Sequence, residues 1–125
     1  KKTIDEELDV TLEVKNWLKN KANYLISQGI KPNQIIIDPG IGFGKTAAQS
    51  WQLIKDAKIF TKLGYEVIYG HSRKSFLNSV TNKPFAERDF ETALLSNYLA
   101  KNNIDYLRVH NIELNKRAIK LSEFI

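Results

Sequence analysis

The 125-residue sequence predicts an α/β protein built of parallel βα units, suited to a small doubly wound domain or to part of a (β/α)₈ barrel. Two observations carry this. Three short apolar runs, at 34–38, 66–70 and 105–110, begin roughly 30 to 40 residues apart and alternate with segments of helical period. Each run ends in polar residues: Asp38 before a glycine-rich loop, Gly70 before HSRKS, and Arg108 with His110 in the third. Ligands of parallel α/β proteins bind at the carboxyl ends of strands.

The first thirty residues read as one helix. Thr3 and Glu6 have capping-box spacing. Leu8, Leu12, Leu18, Ala22 and Leu25 form its apolar face, widened by Val14 and Trp17. Gly29 and Pro32 end it. Residues 34–38 are apolar enough for a strand buried on both faces. A second helix is expected over 47–63, closed by Gly64. EVIYG is the second strand, followed by a helical turn over 72–80 and a helix over 85–101. Residues 105–110 form the third strand and 112–124 the last helix. On a strand, Arg108 and His110 would share one face and Val109 would take the other. Three parallel strands leave two open edges, which a stable sheet covers or pairs.

Composition narrows the function classes. A hydrophobic fraction of 42% and a charged fraction of 26% are ordinary for a globular protein. No apolar run approaches the roughly 18 residues of a membrane span, and no signal peptide is expected. There is no cysteine, which excludes disulfides, thiolate metal sites and cysteine nucleophiles. The net charge is +5, but the lysines are scattered over helix-like stretches as solvated faces, so no nucleic-acid partner is expected. The chain lacks methionine and begins Lys-Lys, and is expected to be a fragment of something longer.

The loop IIIDPGIGFGKT, residues 35–46, invites a phosphate-loop reading, which fails on spacing. GxxxxGK[ST] would need glycine at Pro39, and GxGxxG would need it at Lys45. The glycines allow positive φ and close backbone approach to a ligand; a tight strand-to-helix turn is the competing reading. Asp38 is costly to bury ionised without a partner. An arginine fork or a ring with two adjacent N–H groups, such as a pterin or guanine, would serve. Arg73 and Lys74 at a strand-to-helix junction oppose helix electrostatics, which points to a site; surface solubility is the alternative. Arg108 and His110 both offer donors suited to phosphate oxygens. His71 is expected to be a spectator.

IIIDPGIGFGK, GHSRKSF and LRVHNI, in this order and separation, resemble dihydropteroate synthases. Ile41 departs from a frequent aromatic, and Glu91-Thr92 from a common Gly-Thr. The resemblance implies a cytoplasmic enzyme with a (β/α)₈ barrel, of which residues 1–125 supply the last three strands. The earlier strands, with an asparagine that helps hold Mg²⁺ and diphosphate, would lie in a missing N-terminal half. The full-length protein would be a homodimer. It would condense 6-hydroxymethyl-7,8-dihydropterin diphosphate with p-aminobenzoate. Lys74, Arg108 and His110 would be catalytic. Asp38, Gly42, Phe43 and Lys74 would bind pterin; Phe43, Lys74 and Ser75 would bind p-aminobenzoate; Arg108 and His110 would bind diphosphate. No metal ligand is expected in this segment. The alternatives are another pterin-binding barrel, such as a folate-dependent methyltransferase domain, or a non-enzymatic α/β nucleotide-binding module.

Overall fold

The computed structural model describes residues 4–125. Five α-helices and three short strands follow one another in the order α1 (Val10–Ser27), β1 (Ile36–Ile37), α2 (Ala47–Lys55), α3 (Ala57–Phe60), β2 (Glu66–Tyr69), α4 (Asp89–Lys101), β3 (Tyr106–Leu107) and α5 (Ile112–Ser122). The strands form one parallel sheet in the order β1-β2-β3. Ile36 pairs with Glu66 and Ile37 with Val67; Ile68 pairs with Tyr106 and Tyr69 with Leu107. The α/β class and the parallel order are as the sequence predicts.

The register divides the sheet into two faces. Ile37, Val67 and Tyr69 point into a core with Leu53, Phe60, Leu77 and Leu99, all buried under the helices. Tyr69 is fully buried yet satisfied, because its hydroxyl donates to the Leu53 carbonyl at 2.7 Å. Ile36, Glu66, Ile68 and Tyr106 lie on the other face, where Ile36 is 50% and Tyr106 43% exposed. The first strand is therefore not buried on both faces, as its composition predicts. The helices among the described residues cover one side of the sheet only.

Several boundaries also differ. Thr3 of the expected capping box lies outside the described residues. The cap is Asp9, whose carboxylate accepts the Leu12 amide at 3.1 Å. Leu8 falls before the helix, and Leu8, Leu12 and Trp17 are exposed. Leu18, Ala22 and Val14 of the expected face are buried, and with Val10 they form an unbroken i, i+4 stripe. The predicted second helix breaks at Asp56, whose carboxylate accepts the Thr11 hydroxyl at 2.6 Å and the Gln52 side-chain amide at 2.9 Å. Gly64 then closes the segment at φ 94°. The expected turn over 72–80 is a 3₁₀ helix at Ser75–Ser79, and the helix expected from Phe85 starts at Asp89 after a 3₁₀ turn.

The third strand is shorter than predicted. Its last bond to β2 runs from the Arg108 amide to the Tyr69 carbonyl at 2.9 Å. Strand pairing stops there because β2 ends at Tyr69. Strand alternation thus does not govern where Arg108 and His110 point; their side-chain partners do.

Candidate active site

All three strand ends meet at one end of the sheet. Asp38 follows β1 and folds back on its own loop, where Oδ1 accepts the Gly40 amide at 2.8 Å. Gly40, Gly42 and Gly44 all have positive φ, between 63° and 83°. This backbone is open to glycine and strained for other residues. The loop is pinned from two sides. The Gly42 amide donates to Ser50 Oγ at 3.1 Å, and Lys45 Nζ donates to the Gly40 and Phe43 carbonyls at 2.8 Å each. Thr46 is the N-cap of α2, in a reciprocal capping box with Gln49. The Gly-Lys-Thr that imitates a phosphate loop is thus engaged in holding the turn together.

Lys74, after β2, reaches across to this loop. Its ammonium donates to the Ile41 carbonyl at 2.6 Å and sits 4.1 Å from the centroid of the Phe43 ring. A Cβ on Gly42 would come within 3.2 Å of the Lys74 side chain, so glycine there leaves the lysine its path. Ile41, whose side chain is buried, thus meets the site through its backbone. Ser75 opens the 3₁₀ turn and is exposed.

Arg108 leans over β2 toward β1. Its guanidinium covers Gly70 so closely that a Cβ there would fall 2.0 Å from Nη2. Nη2 and Nη1 lie 3.4 and 3.5 Å from Asp38 Oδ2. The pair is long and open to solvent. His110 takes a different partner, with Nδ1 2.7 Å from Ser72 Oγ. Phe85 packs edge-on against the His110 ring, at 5.3 Å between centroids.

Arg73, the other half of the expected cationic pair, leaves the site. It makes a two-point ion pair with Asp89 at 2.8 and 2.9 Å. That bond holds the Asp89 carboxyl below its ordinary range and raises the guanidinium above its own. Arg73 adopts φ 59°, and Arg88 donates to its carbonyl at 2.8 Å. These contacts fix the turn that delivers Lys74.

The residues 1–110 match the family described as pterin binding enzyme. This chain belongs to the pterin binding enzyme family. Dihydropteroate synthase of Streptococcus pyogenes serotype M6 is 37% identical over 119 residues, which are 92% of this chain and 45% of that protein. The crystal structure of dihydropteroate synthase from Anaplasma phagocytophilum with bound 6-hydroxymethylpterin monophosphate has a TM-score of 0.91 and 37% identity, covering 98% of this chain and 48% of that one. The dihydropteroate synthase of Coxiella burnetii in complex with pteroic acid has a TM-score of 0.91 and 26% identity, covering 98% and 46%. The chain spans less than half the length of each of these relatives.

In this chain the sequence brings out the side chains that face the cleft and misses those that hold them. His71 is fully buried beneath the site. Its Nε2 lies 2.9 Å from Ser96 Oγ and 3.3 Å from the Thr92 carbonyl. Ser96 donates in turn to Asn115 Oδ1 at 2.5 Å, and Asn115 Nδ2 donates to the Asn111 carbonyl at 2.7 Å. Burial lowers the His71 pKa to about 4, so the ring is neutral. This buried chain of polar groups ties the end of β2 through α4 to the start of α5. Its links from His71 to α4 and from α4 to Asn115 join residues 19 to 25 apart, and no local pattern marks them.

Proposed function

We propose that this chain is the C-terminal part of a dihydropteroate synthase, contributing the last three strands of a (β/α)₈ barrel. One observation carries the reading: Asp38, Lys74, Arg108 and His110 stand at the carboxyl ends of three adjacent parallel strands. The proposed domain takes in residues 1–125 and is completed by an N-terminal half. The full-length protein would be a homodimer in the cytoplasm. No helix of the described residues is long and apolar enough to cross a membrane.

In this mechanism the Asp38 carboxylate accepts two N–H groups from the edge of the pterin ring, and Gly42 lets that ring approach the loop. Lys74 donates to the pterin's carbonyl side. Phe43 and Lys74 wall the p-aminobenzoate pocket, with Ser75 at its carboxylate. Arg108 and His110 hold the diphosphate. The p-aminobenzoate nitrogen attacks the methylene carbon and forms a C–N bond. The bond from that carbon to the diphosphate oxygen breaks, diphosphate leaves with the electron pair, and the nitrogen loses a proton to solvent. Arg108 and His110 act where negative charge grows, which favours the transition state over the bound substrate. The remaining side chains contribute positioning.

Among the described residues no three His, Asp or Glu side chains gather as a metal site requires. Mg²⁺ would be held mainly by the diphosphate and by residues of the N-terminal half. The nucleotide-module alternative loses support because Lys45 and Thr46 are engaged within their own loop. A methyltransferase domain would leave the Arg108 and His110 donors without a diphosphate to bind.

Arg108→Ala in the intact protein tests the reading. Calorimetry should show weakened binding of the pterin diphosphate and nearly unchanged binding of a plain pterin. Equal losses for both ligands, or absence of dihydropteroate formation by the wild type, would sink it.

A further inference from the structure

Ser72 has no part in the mechanism above. It lies in the turn after β2 and is 5% exposed. Its Oγ accepts the His110 amide at 3.2 Å and lies 2.7 Å from His110 Nδ1. Among the described residues these are its hydrogen-bond partners. A hydroxyl has one proton and two lone pairs. One lone pair takes the amide proton, and the hydroxyl proton then has one acceptor in reach, the Nδ1 lone pair. The reverse polarity, with Nδ1–H donating to Oγ, would strand a buried hydroxyl proton without an acceptor.

We propose that Ser72 is a positioning residue: it locks His110 as the Nε2–H tautomer and so presents that N–H to an anionic phosphate oxygen. The identity of the ligand rests on the diphosphate reading of His110. The rest of the geometry fits. Asn111 caps α5 by accepting the Leu114 amide at 2.9 Å, which fixes the backbone beside His110. Phe85 limits the ring on one side, at an interplanar angle of 85°. With Nδ1 engaged, Nε2 is the ring nitrogen left for a ligand, and His110 is exposed. A neutral imidazole donates from one nitrogen and accepts at the other. Nε2–H donates to a phosphate oxygen and donates more strongly as that oxygen gains charge. A bare Nε2 would set lone pair against lone pair.

The test uses the intact protein labelled with ¹⁵N. Long-range ¹H–¹⁵N spectra above the histidine titration range report which ring nitrogen carries the proton, and His110→Gln identifies the His110 signals by their loss. The expected result is a protonated Nε2 and a bare Nδ1. Inorganic pyrophosphate is then titrated by calorimetry. Ser72→Ala should weaken it about tenfold, the worth of one charge-assisted hydrogen bond. Ser72→Thr keeps the hydroxyl and should bind as the wild type does. A protonated Nδ1, or a Ser72→Ala affinity equal to wild type, overturns the proposal. Failure of the wild type to bind pyrophosphate overturns the diphosphate reading and the anion role of His110 with it, whereas a protonated Nδ1 in a protein that binds pyrophosphate overturns the Ser72 assignment alone.

Discussion

Arg108 holds its guanidinium 3.4 Å from Asp38 Oδ2, so the carboxylate proposed to receive the pterin already faces an arginine fork. The two N–H groups of that fork imitate the ring edge that would replace them. The contact is long and exposed, 54% on the arginine side and 35% on the aspartate side, and such pairs contribute on the order of 0–1 kcal/mol. A ligand that fills the cleft would displace it at little cost and free Arg108 for the diphosphate.

Asp38→Asn follows from this weakness. The fold should survive, because the lost ion pair contributes little. The asparagine presents one oxygen and one NH₂, so one pterin donor would meet a donor. An unsatisfied buried donor costs about 1–3 kcal/mol. Pterin affinity should fall about tenfold or more with an unchanged melting temperature. Unchanged affinity by calorimetry would make Asp38 a purely structural residue.

Gly70 supports Arg108 by lacking a side chain. A Cβ there would meet Nη2 at 2.0 Å. The obstructing atom is the far end of a flexible, half-exposed side chain, so Gly70→Ala should shift the guanidinium and leave the sheet intact. Pyrophosphate affinity should drop about tenfold, as it would on losing one charge-assisted contact. Thermal stability should stay near wild type. A variant that binds pyrophosphate normally would show that Arg108 reaches the ligand by another path.

The sequence makes the cleft legible because its chemistry is local. Asp38 ends an apolar run and is followed by three glycines at alternate positions, a pattern readable without a partner. Lys74 and His110 likewise sit just past strands. What supports them is not local. Arg73 looks like a site cation until Asp89, 16 residues on, takes its guanidinium. Thr11 and Asp56 meet across 45 residues and set the break between α2 and α3. The start of α1 is not legible in the sequence for a related reason: acidic and hydroxyl residues at several positions offer competing caps, and the buried Val10 stripe decides among them through tertiary packing.

His71 gives the fold a pH dependence of definite sign. Its folded pKa is about 4 against an ordinary 6.5. Between those values the unfolded chain binds a proton that the folded one does not, so stability falls as pH drops from above 6.5 toward 4. At about 1.4 kcal/mol per pH unit the full loss is about 3 kcal/mol. Asp89, depressed by Arg73, adds a further loss only below the ordinary carboxylate range. Urea unfolding across this window should show the decline, and His71→Gln should flatten it. An equal slope in the variant would assign the decline to other groups.

The chain on its own presents a sheet face that its helices do not cover. Ile36 and Tyr106 stand half-exposed on that face, and Leu8 and Trp17 of the α1 region are exposed as well. Such apolar surface favours burial by about 25 cal/mol per Å². The edge strands β1 and β3 also carry unpaired backbone groups, which invite pairing with another chain. In the proposed barrel, earlier strands would pair with both edges and enclose the face. They would also supply the rest of the pterin and diphosphate contacts, leaving the ligand held from one side in this chain alone. The isolated 125 residues should therefore make no dihydropteroate and should self-associate. Adding the upstream half should restore turnover and reduce light scattering. A monodisperse monomer that makes dihydropteroate by itself would defeat both the barrel reading and the site built on it.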